Sequence, residues 1–245
     1  FAADVTYADG ADIITASAGT SNFRAGVNAG NTIESGGNYN VVVGDEAGTA
    51  ITTGDNNVAV GYAALDATTT SADNTAVGYA SLGANITGAA NTAVGSLTLD
   101  ANTTGSHNTA LGYGAMSATT TGSFSTAVGR DALGAHTTGA DNTAVGYACM
   151  QDLTTGTNNV AMGTTALANL TTTAGNTAIG KSALTSSVTG SYNTALGYLS
   201  LTACLDGGNN IAVGHNALTA NTSGGNNVAL GTNALLANTS ATGNI

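Results

Sequence analysis

Apolar, small and polar positions recur along this chain with a fixed period of seventeen residues. Each period opens Asn-x-Ala-aliphatic-Gly, with the Asn at Asn40, Asn57, Asn74, Asn91, Asn108, Asn142, Asn159, Asn176, Asn193, Asn210 and Asn227. Ser125 replaces it once, and Asn244 opens a further copy. The Gly four residues on is present in all twelve complete copies, Gly44 to Gly231. With each copy numbered from its Asn, position 3 is Ala (Val42 once) and position 4 is Val, Leu, Ile or Met. Position 9 is Leu or Met in all but the first copy, 13 is mostly Thr, 14 is Thr or Ser with one exception, and 15 is mostly Gly. Positions 6, 7, 10, 12, 16 and 17 vary.

So short a period excludes the helical-pair repeats of about 33–34 residues, and Gly and Asn at fixed points would break helices. The pattern predicts two short strands per copy, at positions 1–5 and roughly 8–13, with turns at 5–7 and 14–17. Stacked copies then form an all-β, parallel β-solenoid with 17-residue coils, each residue bonding its counterpart one coil away. The absence of Pro fits, since nearly every backbone N–H is needed in the ladder.

Four regions follow. Residues 1–21 lie outside the repeat and read as a cap or subunit-joining segment, with Asp4–Tyr7 and Ile13–Ala16 as strand candidates. Residues 22–39 are a degenerate first coil whose Asn22 precedes Asn40 by eighteen residues. Residues 40–243 are twelve 17-residue coils, and 244–245 begin an unfinished one. That open edge is expected either to continue into a longer fibre or to be completed head-to-tail by another subunit. A chain opening on Phe1 is expected to be processed or a fragment.

Alternate residues of a strand point to opposite sides. Positions 2 and 4 share one face, so Val60, Val77, Val94, Leu111, Val128 and Val145 are predicted to face an oligomer partner or the core. Leu65, Leu82 and Leu99 at position 9 join that set of oligomer-facing or core residues. Positions 3 and 5 share the other face. Neither face is charged in the complete copies, and a strand apolar or small on both faces is expected to be covered on both. The solenoid interior covers one, and further copies of the same chain are the expected cover for the other. The Asn and Gly columns (Asn57, Gly61, Asn74, Gly78, Asn91, Gly95, Asn108, Gly112, Asn142, Gly146, Asn176 and Gly180) are assigned to a structural ladder.

Composition narrows the function classes. With 3 Lys+Arg against 14 Asp+Glu and a net charge of −11, the chain is poorly suited to nucleic acid or an anionic membrane surface. No stretch approaches the roughly 18 continuous apolar residues of a membrane helix, so no membrane insertion is expected. No signal peptide is recognisable. Cys149 and Cys204 fall in different columns three copies apart, too far for a disulfide, and read as small buried residues.

The strand Asn74-Thr75-Ala76-Val77-Gly78 resembles the Ser-Val-Ala-Ile-Gly-type strand of trimeric autotransporter adhesin head domains. The same motif occurs in bacteriophage tail-fibre and other surface-fibre proteins. The resemblance runs from Asn40 to Ile245. It implies a left-handed β-roll, a homotrimer with the motif strand facing the trimer axis, and an extracellular, cell-surface or virion-surface location. The family's repeat is shorter, which places the extra residues in the turn around Thr-Thr-Gly. The family's heptad stalk and membrane anchor have no counterpart here.

Several columns carry candidate chemistry. Tyr62, Tyr79, Tyr113, Tyr147 and Tyr198 all occupy position 6, either as an aromatic ladder over the turn or as a platform for a glycan or host receptor. Ser96, Arg130, Thr164 and Lys181 interrupt that column. Asn85, Asn102, Asn169, Asn221 and Asn238 sit in N-glycosylation sequons on an expected exposed edge. Thr columns suggest ice binding, but such arrays need Thr two apart on one face, and Thr103 and Thr104 are adjacent and expected to point opposite ways. Asp4, Asp9 and Asp12 lack a Ca²⁺-loop pattern. His107, His136 and His215 fall in three different columns, so no metal set, cofactor site or acid–base cluster is expected, and the chain reads as a non-enzyme. The sequence thus predicts a structural filament or tail-type fibre subunit, with a glycan- or host-binding adhesin as the alternative and ice binding a distant third.

Overall fold

In a computed structural model describing residues 19–186 and 189–245, the chain forms a parallel β-solenoid of about twelve 17-residue turns, with no helix among the described residues. Position 5 sets its geometry. Gly78 has φ +137°, and a Cβ there would lie 2.4 Å from the carbonyl oxygen of Gly95 in the next coil. A side chain would clash and strain the backbone at once. The repeated Gly therefore both turns the chain out of its strand and lets successive coils approach.

Regular strand is confined to positions 2–4. Thirteen three-residue strands, from Phe23–Ala25 and Val41–Val43 to Val228–Leu230, stack in sequence order into one parallel sheet. Their register keeps like over like: Thr75 pairs with Thr92, Ala76 with Ala93 and Val77 with Val94. The second strand expected at positions 8–13 does not form. Residues at positions 7 and 9, such as Ala63 (φ 51°) and Leu65 (φ 56°), are left-handed and break any extended run. Their N–H groups still bond neighbouring coils, Ala63 to the Asp45 carbonyl at 3.1 Å and Leu65 to the Ser81 carbonyl at 3.0 Å. The coil is thus one strand and a series of turns.

The first coil joins the same stack, with Phe23, Arg24 and Ala25 in register with Val41, Val42 and Val43. Its extra residue falls in the turn. Glu34 bonds Thr52, eighteen residues on, whereas Asn22 crosses to the Gly37 carbonyl as later Asn residues cross to position 15. Ser35 and Gly36 absorb the difference. The strand candidates Asp4–Tyr7 and Ile13–Ala16, and the carboxylates Asp4, Asp9 and Asp12, lie outside the described residues.

The interior is narrow and partly polar. Ala59, Ala76 and Ala93 at position 3 and Leu65, Leu82 and Leu99 at position 9 are fully buried. Beside them runs the Asn column. The backbone N–H of Asn57 donates to Asn40 Oδ1 at 2.9 Å, and Asn57 Nδ2 donates across the coil to the Ser71 carbonyl at 3.0 Å. Asn74 and Asn91 repeat both bonds. One side chain thus fixes coil-to-coil spacing and closes its own coil, satisfying polar groups that would be costly if buried unpaired.

Ser125 keeps half of this. Its N–H still donates to Asn108 Oδ1 at 3.0 Å, but its hydroxyl turns back to the Ser123 carbonyl and leaves the Gly139 carbonyl without a crossing amide. In that same coil position 12 is His136, whose ring packs against Gly139. An unusual residue on one wall is matched by an unusual residue opposite.

Candidate functional site

The strand alternation that buries positions 1 and 3 sends 2 and 4 outward. Columns 2 and 4 carry Thr, Val, Ile, Leu, Met, Phe or Ala and no charge in any coil. Their side chains are open in this single chain: Leu111 is 47% exposed, Met162 50% and Leu196 44%. Val60, Val77, Val94, Val128 and Val145 are half-buried on the same face. Of the residues grouped as oligomer-facing or core, these six share the outward face, whereas Leu65, Leu82 and Leu99 are interior. An apolar strip running the length of a solenoid is far larger than a single exposed apolar side chain, which needs no explanation.

Columns 17 and 6 lie at the bends that end the strand on either side, and many of their side chains are exposed, so they border this face. Column 6 exposes Tyr62, Tyr79, Tyr113, Tyr147 and Tyr198 by about half each. Stacking by one coil brings them into ring contact. Tyr62 and Tyr79 lie 5.8 Å apart at 11°, and Tyr198 stacks on His215 at 5.5 Å. Arg130 does not interrupt the column. Its guanidinium sits 5.7 Å from the Tyr113 ring and 5.9 Å from the Tyr147 ring, bridging them by cation–π contacts, and Nε pairs with Asp131 at 3.1 Å. Ser96, Thr164 and Lys181 remain gaps between the stacked groups. Column 17 holds a second aromatic series that the sequence reading missed. Tyr39, Phe124 and Tyr192 are exposed by 60% or more, and Phe124 stacks on His107 at 5.0 Å. The signal was available, because Phe124 and Tyr192 recur at one position of the seventeen-residue repeat, two residues before the strand.

The opposite turn corrects two expectations. Positions 12 and 15 both point inward, so 13 and 14 between them both face out: Thr103 is half-buried and Thr104 exposed. The two do not point opposite ways, and the geometric objection to a paired Thr array falls. Column 13 spends its hydroxyls internally. Thr103, Thr120, Thr137 and Thr154 each donate Oγ1 to the position-13 carbonyl of the next coil, at 2.9 to 3.2 Å.

The sequon asparagines are the second correction. Asn85, Asn102 and Asn221 occupy position 12 and are fully buried rather than on an exposed edge. Their amides donate to the position-15 carbonyls of Gly88, Gly105 and Gly224 at 2.9 to 3.0 Å. A glycan cannot be accommodated on an amide that lies inside the coil. Asn238 is half-buried in the same column, and its Nδ2 reaches Asn221 Oδ1 at 3.1 Å. Asn169, at position 11, is exposed. Position 12 seemed unconstrained from sequence because Asn, Thr, His, Leu and Cys all fit this interior slot.

His136 is the most unusual occupant. It is fully buried with Nδ1 3.0 Å from Thr119 Oγ1, and desolvation pushes its pKa down to about 4, offset in part by the Gly139 carbonyl. His107 and His215 lie in the two outer flanking columns, so the three histidines do not converge. Cys149 and Cys204 are free and buried, and burial pushes their thiols up to about 12 and about 11, which makes them inert.

Gly134 leaves a notch between Ser117 and Gln151 in column 10, an open depression of about 270 Å³ also lined by Asp131 and Asp152. Burial raises the carboxyl pKa of Asp66 and Asp100 in the same column. Among the described residues no three His, Cys, Asp or Glu side chains are grouped to hold a metal ion, and no helix is long and apolar enough to cross a membrane. The feature with the largest extent and the least ordinary chemistry is the uncharged sheet face with its aromatic borders. No family model matches the chain, nor does any curated protein or any solved structure.

Proposed function

We propose that this chain is a structural subunit of an extracellular filament or tail-type fibre that assembles through its outward sheet face. The observation that carries this reading is the thirteen-strand sheet whose outer columns hold no charge while standing open to water in one chain. Thirteen strands at about 4.8 Å spacing give a face about 58 Å long. From column 17 to column 6 it is at most about 20 Å wide, an area on the order of 1,000 Å² per chain. That is the scale of a stable protein–protein interface. The resemblance to adhesin head repeats adds a left-handed coil, a homotrimer and a location on a cell or virion surface. Such a subunit works by shape and self-association, with no catalytic step and no cofactor. Mass measurement under native conditions tests the proposal. A discrete multimer, or long polymers if subunits also join head to tail, is expected, and a stable monodisperse monomer overturns it.

A second reading, a glycan- or host-binding adhesin, draws on the exposed Tyr62–Tyr79 stack, since paired aromatic rings suit the apolar face of a sugar. A glycan array separates the two. Specific binding lost in Tyr62→Ala and Tyr79→Ala variants favours the adhesin, and no binding favours the structural subunit.

A further inference from the structure

We infer that the turn edge is a second functional surface, one that adsorbs the chain to ice through its threonine columns. It does not depend on how copies associate, because this edge lies on the turn opposite the sheet face.

Column 14 is Thr in nine consecutive coils, Thr53 to Thr189, and columns 13 and 14 carry no charged residue over that length. Column 10, also outward, runs through Thr, Asp, Gly, Ser, Gln and Ala in the same coils. An exposed column that keeps one residue needs a reason. Internal bonding does not supply it, since the hydroxyls of Thr104, Thr121, Thr138 and Thr155 are exposed and make no hydrogen bond within the chain. Exposure alone asks for any polar residue, and Asn, common elsewhere in the coil, is absent from the column.

Column 13 supplies order. From Thr103 to Thr154 each Oγ1 donates to the position-13 carbonyl one coil on, at 2.9 to 3.2 Å. The same bond at every level fixes χ1, so each γ-methyl points the same way. Five successive levels, Thr103–Thr104 to Thr171–Thr172, carry Thr in both columns. Column 16 beside them holds only Ser, Ala or Thr, from Ser106 to Ala174, so no longer side chain stands above the edge on that side.

The spacing suits a frozen water lattice. Hydrogen-bonded water oxygens lie about 2.75 Å apart, and tetrahedral geometry puts second neighbours about 4.5 Å apart. Coils repeat at about 4.8 Å. The mismatch of about 0.3 Å per coil reaches half a water–water distance only after about four or five coils, the length of the Thr–Thr run. Column-14 hydroxyls bond lattice water, and the methyls of column 13 sit where water is held without being bonded. A surface fixed in advance loses little conformational entropy on adsorption.

Partition of the full chain into ice tests this. A stirred solution of the chain and a globular control protein is frozen slowly onto a cold probe, and the protein in ice and liquid is compared. The chain is expected to concentrate in the ice while the control is excluded, and its solution to freeze below its melting point. Thr104→Lys with Thr138→Lys should reduce uptake to the control's level. Thr164→Lys with Thr232→Lys, in column 6 where Arg130 and Lys181 already stand, adds the same charge away from the edge and should leave uptake unchanged. Circular dichroism checks that each variant is folded. Exclusion of the parent chain from ice overturns the inference, as does uptake that survives the column-14 pair or is lost equally in the column-6 pair. Native mass measured on the same samples reports self-assembly separately, so failure of either leaves the other standing.

Discussion

Two long surfaces of this solenoid are built from threonine and aliphatic side chains, repeat at the same spacing and are almost free of charge. They differ in how their polar and apolar groups are satisfied. On the turn edge, columns 13 and 14 place Thr hydroxyls in every direction that matters: those of column 13 bond the next coil, and those of column 14 face water. On the sheet face, columns 2 and 4 expose Leu, Val, Ile and Met with nothing over them. The first surface is complete in a single chain. The second is composed like an interior yet stands open in a single chain. Exposure alone does not mark an interaction site; the mismatch between exposure and composition does.

The largest effect is expected where both surfaces lose their common register. Gly78→Val forces a β-branched residue to φ +137° with its Cβ against the Gly95 carbonyl. A cost on the order of 5 kcal/mol follows from strain and overpacking together. Circular dichroism should show loss of the folded state, or a steep fall in Tm.

Next comes a direct contrast between the surfaces. Val77→Lys with Val128→Lys places unpaired charges in the proposed interface, and sedimentation should show assembly weakened by about 100-fold or more. Thr70→Lys with Thr121→Lys, on the turn edge, should leave the assembly unchanged. Equal effects of the two pairs would erase the distinction between the surfaces.

A third effect is confined to the turn side and depends on pH. His136 lies directly beneath the Thr edge, neutral, with a folded pKa near 4 against 6.5 when unfolded. The unfolded chain therefore binds this proton first. Stability from this group is complete above pH 6.5 and declines as pH falls toward 4, by up to about 3 kcal/mol. Asp66 and Asp100, raised by burial, act in the opposite sense, their penalty being relieved as pH falls through their raised values. His136→Asn, matching Asn85 and Asn102 in its column, should flatten the acid limb in chemical denaturation between pH 6.5 and 4 while remaining folded at pH 7. The smallest effect is expected from Thr104→Ser or Thr138→Ser on the exposed column, within about 0.5 kcal/mol of the parent.

Much of this architecture was legible because the repeat is undisturbed. The Asn, Ala and Gly columns announced the stacked coils, and strand parity separated Ala76 from Thr75 and Val77. What misled was the assumption that unbroken polarity patterns imply strands. Ala63 and Leu65 adopt left-handed backbone with ordinary side chains, so no composition signal marked the missing second strand. Position 12 was illegible for a related reason. A polar interior that accepts Asn85, His136 and Leu153 alike looks, from sequence, like a surface free to vary. The Tyr column was found by spacing, but the role of Arg130 within it needed the stacked geometry, since a cation in an aromatic series reads as a break until its neighbours are placed.

The three methionines offer the most direct test of whether the sheet face is covered in the native protein. Met116 and Met150 are fully buried in the coil, whereas Met162 stands at position 4 of the outward face, 50% exposed in a single chain. Under mild peroxide oxidation of the native protein, followed residue by residue by mass spectrometry, a covered face protects Met162 to the same order as Met116 and Met150. Oxidation of Met162 at the rate of an exposed methionine, with Met116 and Met150 still protected, would contradict the account.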